Sequence, residues 1–530
     1  MENIYCEEKM LIINNLKLEL NQDKAELKVK AAKVLRLKAD DLLYFKIHKE
    51  SIDARKEVIF VYSVLVKVAK EKKYYHYKNV SKFIPFTYQI PQVELNKRPI
   101  VIGFGPSGIF SSYLLAKANL KPIIFERGEM IEQRSVTVND FWKKGILNPE
   151  SNVQFGEGGA GTFSDGKLTT RIKDPRISFI LDTLIKFKAD EKIAYTHHAH
   201  IGTDKLKTIV KNMREEIIRL GGEFHFNTKV DELIVENDTL IGVKAKNDSY
   251  YSDHIILAIG HSATDTLKTL NKAKVYLEPK DFAVGVRVEH PQILIDKNQY
   301  GSNYNHEKLK ASEYHLTYKA QDNRYVYSFC MCPGGYVIPS NSSEKTIVTN
   351  GMSYSQRNND YANAGILVQI KTSDLDPEDI FSGLKYQQNI EQLAYKLANN
   401  SYQANCINIK DFINDTQNPL IFKPSYSLGA KLIDYKNLFE PFIINDLKAA
   451  FLDFDHKIPG FIDQGIIIGP ETRSSSVVKI KRDPESLESV SLKHLYPAGE
   501  GAGYSGGIMS SFLDGMKIAE TIINQAKSSQ

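Results

Sequence analysis

Cysteine is scarce: Cys6, Cys330, Cys332 and Cys406 are all there are in 530 residues. That is too few for a disulfide framework, which excludes the small stapled secreted classes and suits a reducing cytoplasm. Long apolar runs are missing too. No stretch approaches the roughly 18 consecutive apolar residues of a spanning helix, and the opening MENIYCEEKMLIINNLKLEL carries acids early, unlike a signal peptide. No membrane partner and a cytoplasmic location are expected. Charge of one sign is also lacking, since 69 Lys and Arg face 64 Asp and Glu for a net +5. The charges read as scattered rather than gathered into basic blocks, so nucleic acid is not expected as a partner. What is present, 42% hydrophobic and 25% charged residues, is the balance of a globular chain long enough for two or three cores.

The first 96 residues read as a separate α+β cap domain. Leu16, Leu18 and Leu20 alternate with polar residues as in a half-buried strand, and a helix bearing Leu27, Ala31, Val34 and Leu35 follows. Two β-rich runs come next, Leu42–Ile47 and Val58–Val68, an order that predicts a ferredoxin-like cap. Pro85, Pro91 and Pro99 punctuate the connector. Residues 97–274 then alternate strand and helix, with an amphipathic helix over 201–222 closed by Gly221-Gly222 and strand-like runs at 223–228, 232–235, 240–245 and 255–259. A β-rich substrate domain is expected over 275–420. Residues 421–530 complete it and close the nucleotide-binding domain.

The strongest motif is a buried strand running into Gly103-Phe104-Gly105-Pro106-Ser107-Gly108. In this GxGxxG pattern the first glycine permits the tight turn, the second lets backbone approach a pyrophosphate, and the third allows close helix packing. A helix N-terminus behind it favours phosphate. A second strand ends in Glu126, at the distance where an acid accepts ribose hydroxyls. Arg127 and Arg134 follow, as phosphate or adenine contacts or as a salt-bridge pair. The loop FGEGGAGTFSDGK at 155–167 has too many glycines for an ordinary turn and implies close backbone approach to something bulky. Near the C-terminus, Gly499-Glu500-Gly501 through Ser505-Gly506-Gly507-Ile508 repeats the pattern of a strand, an acid, a glycine turn and a helix start. Glu500 can accept a ribityl hydroxyl there.

Together these residues resemble the two-dinucleotide-fold flavoproteins of the glutathione-reductase-2 type. More narrowly, the chain is similar to an uncharacterised bacterial FAD-dependent dehydrogenase family with an N-terminal cap and its own C-terminal domain. The shared text is SIDARK at 51–56, GEGGAGTFSDGKLTTR at 156–171, LAIGHSATDT at 257–266, FAVGVRVEHP at 282–291, CMCPGG at 330–335, NGMSYSQR at 350–357, ETRSSS at 471–476 and the Gly499–Gly507 turn. The resemblance implies an α/β fold: a Rossmann-type FAD-binding domain, an inserted β-rich substrate domain and the cap. It further implies that Gly103, Gly105, Pro106, Ser107, Gly108 and Glu126 hold the ADP half of FAD. Gly158, Gly159, Thr162, Ser164 and Lys167, with Gly499, Glu500, Ser505, Gly506, Gly507 and Ile508, would hold the ribityl chain and isoalloxazine. Val230 and Gly260 would lie near the adenine. Ser107 departs from the family's usual alanine, and Val477 and Lys479 from its proline and arginine.

The expected function is that of an oxidoreductase whose FAD accepts electrons from an unidentified small molecule. An RNA-modifying flavoprotein, favoured by a basic cap, is the alternative, and a FAD-binding scaffold without turnover a third. No catalytic residue is assigned. His261 and His290 are acid/base candidates, His197, His198 and His200 lack metal-ligand spacing, and Cys330-x-Cys332 is too tight for a CxxC-like dithiol. No second strand–GxGxxG–helix unit occurs between Arg134 and Leu495, so no dedicated NAD(P)H domain is expected.

Overall fold

Alternation in the first residues becomes strand pairing. In the computed structural model, which describes residues 10–528, β1 (Met10–Glu19), β2 (Tyr44–Asp53), β3 (Ile59–Lys67) and β4 (Val80–Phe83) form an antiparallel sheet in the order β2-β3-β1-β4. Leu11 and Ile13 are buried on odd positions, Leu16 and Leu18 on even ones. The switch of phase requires an extra residue, and the β1–β3 register shifts between Ile13 and Leu16, with Asn15 at φ +59°. Helix α1 (Glu26–Val34) buries Leu27, Ala31 and Ala32.

This first unit is not the continuous 1–96 segment that the sequence suggests. It ends at Gln89 and recruits Lys167–His200 and Gln299–Lys310. Glu50 exchanges backbone hydrogen bonds with Tyr195 and His197 (2.7 and 2.8 Å), and Lys308 donates to the Leu20 and Gln22 carbonyls. Such isolated long-range pairs leave no periodic trace in sequence.

The second unit carries a five-stranded parallel sheet. Its order is Leu495–Pro497, Ile255–Leu257, β5 (Ile100–Ile102), β6 (Ile123–Phe125) and β7 (Glu223–His225). The four strands from Leu495–Pro497 to β6 are short and apolar, as parallel strands covered on both faces require, while β7 at the sheet edge reads Glu-Phe-His and is half-buried. Helix α2 (Pro106–Lys117) follows β5 and is buried all round from Ser107 to Ala116. The C-terminal helix, Ile508–Ser528, approaches it so closely that a Cβ on Gly515 would stand 2.0 Å from the Ser107 carbonyl oxygen. Helix α3 (Ile131–Lys144) follows β6.

The amphipathic pattern over 201–222 forms the helix Thr203–Arg219, and the runs after β7 form a three-stranded antiparallel ribbon of Val230–Glu236, Thr239–Ala245 and Asp248–Tyr251. A seven-stranded mixed sheet draws its strands from Phe282–Pro291 through to Ile466–Glu471, on both sides of residue 420. Both sheets fall in one compact unit and share one apolar core, in which Ile100, Leu257 and Leu495 join Val284, Ile366 and Ile467. Among the described residues no helix is long and apolar enough to cross a membrane.

Candidate functional site

The chain leaves β5 through Gly103, at φ +94°, where a Cβ would stand 2.4 Å from the Ala258 carbonyl oxygen. Gly108 faces back onto this turn, with a Cβ there 2.0 Å from the Gly103 oxygen. These two glycines let backbone meet backbone. Gly105 differs: the nearest protein atom to its Cβ would be Gly159 Cα at 3.7 Å, so its bareness leaves room for something other than protein. Pro106 opens α2, where a missing N–H costs nothing, and the first-turn amides have no intrahelical acceptor. The Ser107 hydroxyl is buried without a partner.

Glu126, at the end of β6, gathers the surrounding loops. One carboxylate oxygen accepts from the Phe104 amide (2.9 Å), the other from those of Gly128 and Gly156 (2.9 and 3.0 Å). Val230 begins the strand just beyond Thr228, whose amide donates to the Glu126 carbonyl at 3.0 Å. The two arginines do something different from the phosphate contact the sequence allows. Arg134 is wholly buried and donates to the carbonyls of Asn152, Val153, Gly156, Glu157 and Gly159 at 2.6–3.2 Å, fixing the path of the second glycine loop. Burial pulls its guanidinium down to about 10, still charged at neutral pH. Arg127 is bidentate on Asp265 (3.0 and 3.1 Å), bonds Glu150 and lies 4.1 Å over Phe155.

The loop held by Arg134 brings Gly158 (φ +86°) and Gly159 (φ +63°) against the first turn, with a Cβ on Gly159 only 3.0 Å from Gly105 Cα. Gly161 packs the same way on Ile508. Thr162 Oγ1 is buried and unpartnered, while Ser164 Oγ donates to the Gly161 carbonyl at 2.7 Å. Asp165 anchors the loop's end, binding Ser353 Oγ and the Arg357 guanidinium. Lys167 belongs to the other unit and bridges to His200 there.

The C-terminal turn closes the cluster. Gly499, at φ +72°, would drive a Cβ to 2.9 Å from Ser107 Cβ, and its amide donates to Asp514 Oδ2 at 2.7 Å. Asp514 in turn takes both Arg482 nitrogens (2.5 and 3.0 Å), and Arg482 stacks 3.8 Å from the Tyr504 ring. Gly501 seats on the Gly260 carbonyl, whereas a Cβ on Gly260 itself, or on Gly506, would meet nothing within 4 Å. Ser505 Oγ bonds Ser511 Oγ at 2.7 Å. Gly506 and Gly507 are exposed just ahead of Ile508, where the helix begins. Glu500 lies 3.5 Å from His261 Nδ1, and His261 Nε2 is buried with no partner.

Four loops, 103–108, 156–165, 258–261 and 499–508, therefore meet at the carboxyl ends of the parallel strands, where open α/β sheets bind ligands. Arg482 and Asp514 were not legible as part of this framework, and neither was the pairing of Asp165 with Arg357, although both of these stand in the motif text. The one available signal was an acid, Asp514, inside the apolar helix text SSFLDGMKI. His290 is a core residue rather than an acid/base group: wholly buried, it meets the Phe461 carbonyl at 2.8 Å, and burial lowers it to about 4. Cys6 lies outside the described residues.

A dinucleotide fits what the loops leave open. Room beside Gly105, exposed Gly506 and Gly507, and buried hydroxyls on Ser107 and Thr162 with no protein partner are features of a cradle built for a polar guest. The profile of a FAD-dependent protein, C-terminal domain-like, matches residues 281–474, and a domain of unknown function matches 10–67. An uncharacterised protein of Clostridium beijerinckii is 44% identical over 527 residues, covering 97% of this chain and 98% of its own. Among solved structures, the halogenase PltM is 12% identical at a TM-score of 0.39, covering 82% of this chain and 71% of its own. A geranylgeranyl bacteriochlorophyll reductase-like protein of Thermoplasma acidophilum is 13% identical at 0.37, covering 82% and 80%. Likenesses this low carry no argument. The chain belongs to the family of its Clostridium beijerinckii relative, an uncharacterised family of FAD-dependent proteins, and its cofactor is FAD.

Proposed function

We propose that the protein is a FAD-dependent oxidoreductase, a dehydrogenase working in the cytoplasm on a small organic substrate. The observation that carries this reading is the convergence of the four loops on one another at the sheet's carboxyl edge. Bound there, FAD supplies two-electron redox chemistry, and the chain supplies position and electrostatics. Gly103–Gly108 and Glu126 take the ADP half. The 156–165 loop and the 499–508 turn take the ribityl chain and ring, with Glu500 accepting a ribityl hydroxyl and the amides ahead of Ile508 favouring negative charge on the reduced ring. Arg134 and Arg127 act at one remove, by holding the loop and the Asp265 region in place. The seven-stranded sheet bounds the substrate side, and the strand order β2-β3-β1-β4 supports the ferredoxin-like reading of the N-terminal sheet. Anaerobic mixing of the yellow protein with a panel of metabolites, NADH and NADPH tests the proposal. Bleaching of the flavin by one substrate class supports it, and a flavin that dithionite reduces but no metabolite does speaks for a scaffold.

A second reading, an RNA-modifying flavoprotein, rests on charge. The small net charge of the chain hides an uneven spread: residues 10–89 hold 17 lysines and arginines against nine acids. Lys70, Lys72, Lys73 and Lys78 are exposed around the half-buried Tyr75 and Tyr77, and Arg36 lies 5.9 Å from the Tyr77 ring centroid. Basic groups interleaved with aromatics suit phosphate and base contacts. RNA binding that weakens steeply with salt favours this reading, and no retention at low salt removes it.

A further inference from the structure

Cys330 and Cys332 stand at an irregularity that flavin binding alone does not call for. The strand Tyr325–Cys332 loses register with Tyr361–Ile370 between Phe329 and Cys332. Within that bulge Cys330 takes φ +42°, a conformation rare for an L side chain, and such strain persists only where the surroundings enforce it. Here the enforcing group is Arg287. Wholly buried and bidentate on Glu471 (2.5 and 2.8 Å), it donates to Asn363 Oδ1 at 2.8 Å and to the Cys330 carbonyl at 3.2 Å.

The bulge brings the two thiols together. Cys332 donates to the Cys330 carbonyl at 3.4 Å, and the two side chains are hydrogen-bonded to each other. Cys332 is buried and Cys330 half-buried. The contact with Cys330 and burial push the Cys332 thiol well up. The pair is also tied to the glycine loop. A Cβ on Gly351 would stand 2.8 Å from Cys332 Sγ, and two residues further Ser353 binds Asp165, at the end of that loop.

We propose that Cys330 and Cys332 form a reversible dithiol–disulfide couple that exchanges two electrons with the flavin. In the oxidising direction two S–H bonds break and one S–S bond forms, and the two electrons and two protons pass to oxidised flavin, which becomes the reduced form. The reverse step opens the disulfide to two thiols and regenerates oxidised flavin. A single intervening residue makes a small, strained ring. Strained disulfides are the labile ones, which fits a couple that cycles rather than a structural link. The couple rests on the flavin reading above, since its partner is the FAD over the 156–165 loop.

Anaerobic titration of the air-oxidised holoprotein with dithionite tests it. Wild type is expected to take four electrons per FAD, and Cys330→Ser and Cys332→Ser two each. A second readout needs no variant: in protein denatured in iodoacetamide, the peptide holding residues 330 and 332 is unlabelled and two hydrogens lighter when oxidised and doubly labelled after reduction, while Cys406 is labelled in both. Wild type taking two electrons, with both cysteines alkylated in the oxidised protein, overturns the proposal and leaves the flavin reading standing. A protein that takes up no FAD overturns both the flavin reading and the exchange, and the alkylation pattern then shows only whether the disulfide forms.

Discussion

Single residues separate what the fold needs from what the cofactor needs. Gly108 and Gly105 share a motif, but a Cβ on Gly108 would strike the Gly103 carbonyl oxygen at 2.0 Å, while one on Gly105 meets protein only at 3.7 Å. Gly105→Ala is therefore expected to melt like wild type yet to bind FAD at least about tenfold more weakly, a loss of about 1.4 kcal/mol. Gly108→Ala should lose fold and flavin together. Thermal melts beside flavin absorbance check the contrast, and a Gly105→Ala protein with undiminished FAD affinity removes the pyrophosphate contact from this turn. His290 sets a pH dependence. Its folded value, about 4, lies below the usual 6.5, so the unfolded chain binds more protons between these values. Its contribution is full above pH 6.5 and lost as pH falls toward 4, up to about 3 kcal/mol for a shift of this size. Glu157 and Glu289, raised to about 7 mainly by burial, act oppositely, their contributions falling as pH rises from about 4.5 to 7. Urea midpoints of wild type and His290→Gln at pH 7.5 and 5 isolate the histidine: the variant should lose less stability on acidification, and equal losses would refute the assignment.

At the scale of elements, legibility depended on whether a signal was local. The turn after β5 announces itself because strand, glycines and helix are adjacent in sequence, and Gly221-Gly222 marks the end of the helix Thr203–Arg219 for the same reason. Arg134 was legible as an important arginine but not in its role, because its five carbonyl partners lie 18 to 25 residues downstream in a loop of no regular structure. Asp514 stands out as an acid in apolar helix text, but its pairing with Arg482 was not legible, since it joins a strand-flanking loop to a helix 32 residues on. That pair fixes the Gly499 turn on the C-terminal helix, and it supplies a third prediction. Asp514→Ala leaves the Arg482 charge buried without its partner and frees the Gly499 amide, at a cost of about 3–5 kcal/mol. Urea unfolding should show that loss with FAD affinity falling alongside it. A cost below about 1 kcal/mol would mean the pair is solvated and the turn held by other means.

For the whole molecule, sequence pattern located the parallel sheet and its glycine turns but misjudged how the chain is shared out. The first unit takes three separate segments where one continuous stretch was expected, and the seven-stranded sheet is built by pairings, such as Val288 with Ile467, that link residues far apart in the chain. The result brings residues from both ends of the second unit, Gly103–Gly108 and Gly499–Ile508, together at the carboxyl edge of the parallel sheet. The measurement that tests this most directly is the identity and amount of the flavin released by heat from the purified protein. About one FAD per chain is expected, because Glu126 and the Gly103–Gly108 turn address the ADP half that FMN lacks. Release of FMN, or of no flavin after incubation with FAD, would contradict the account.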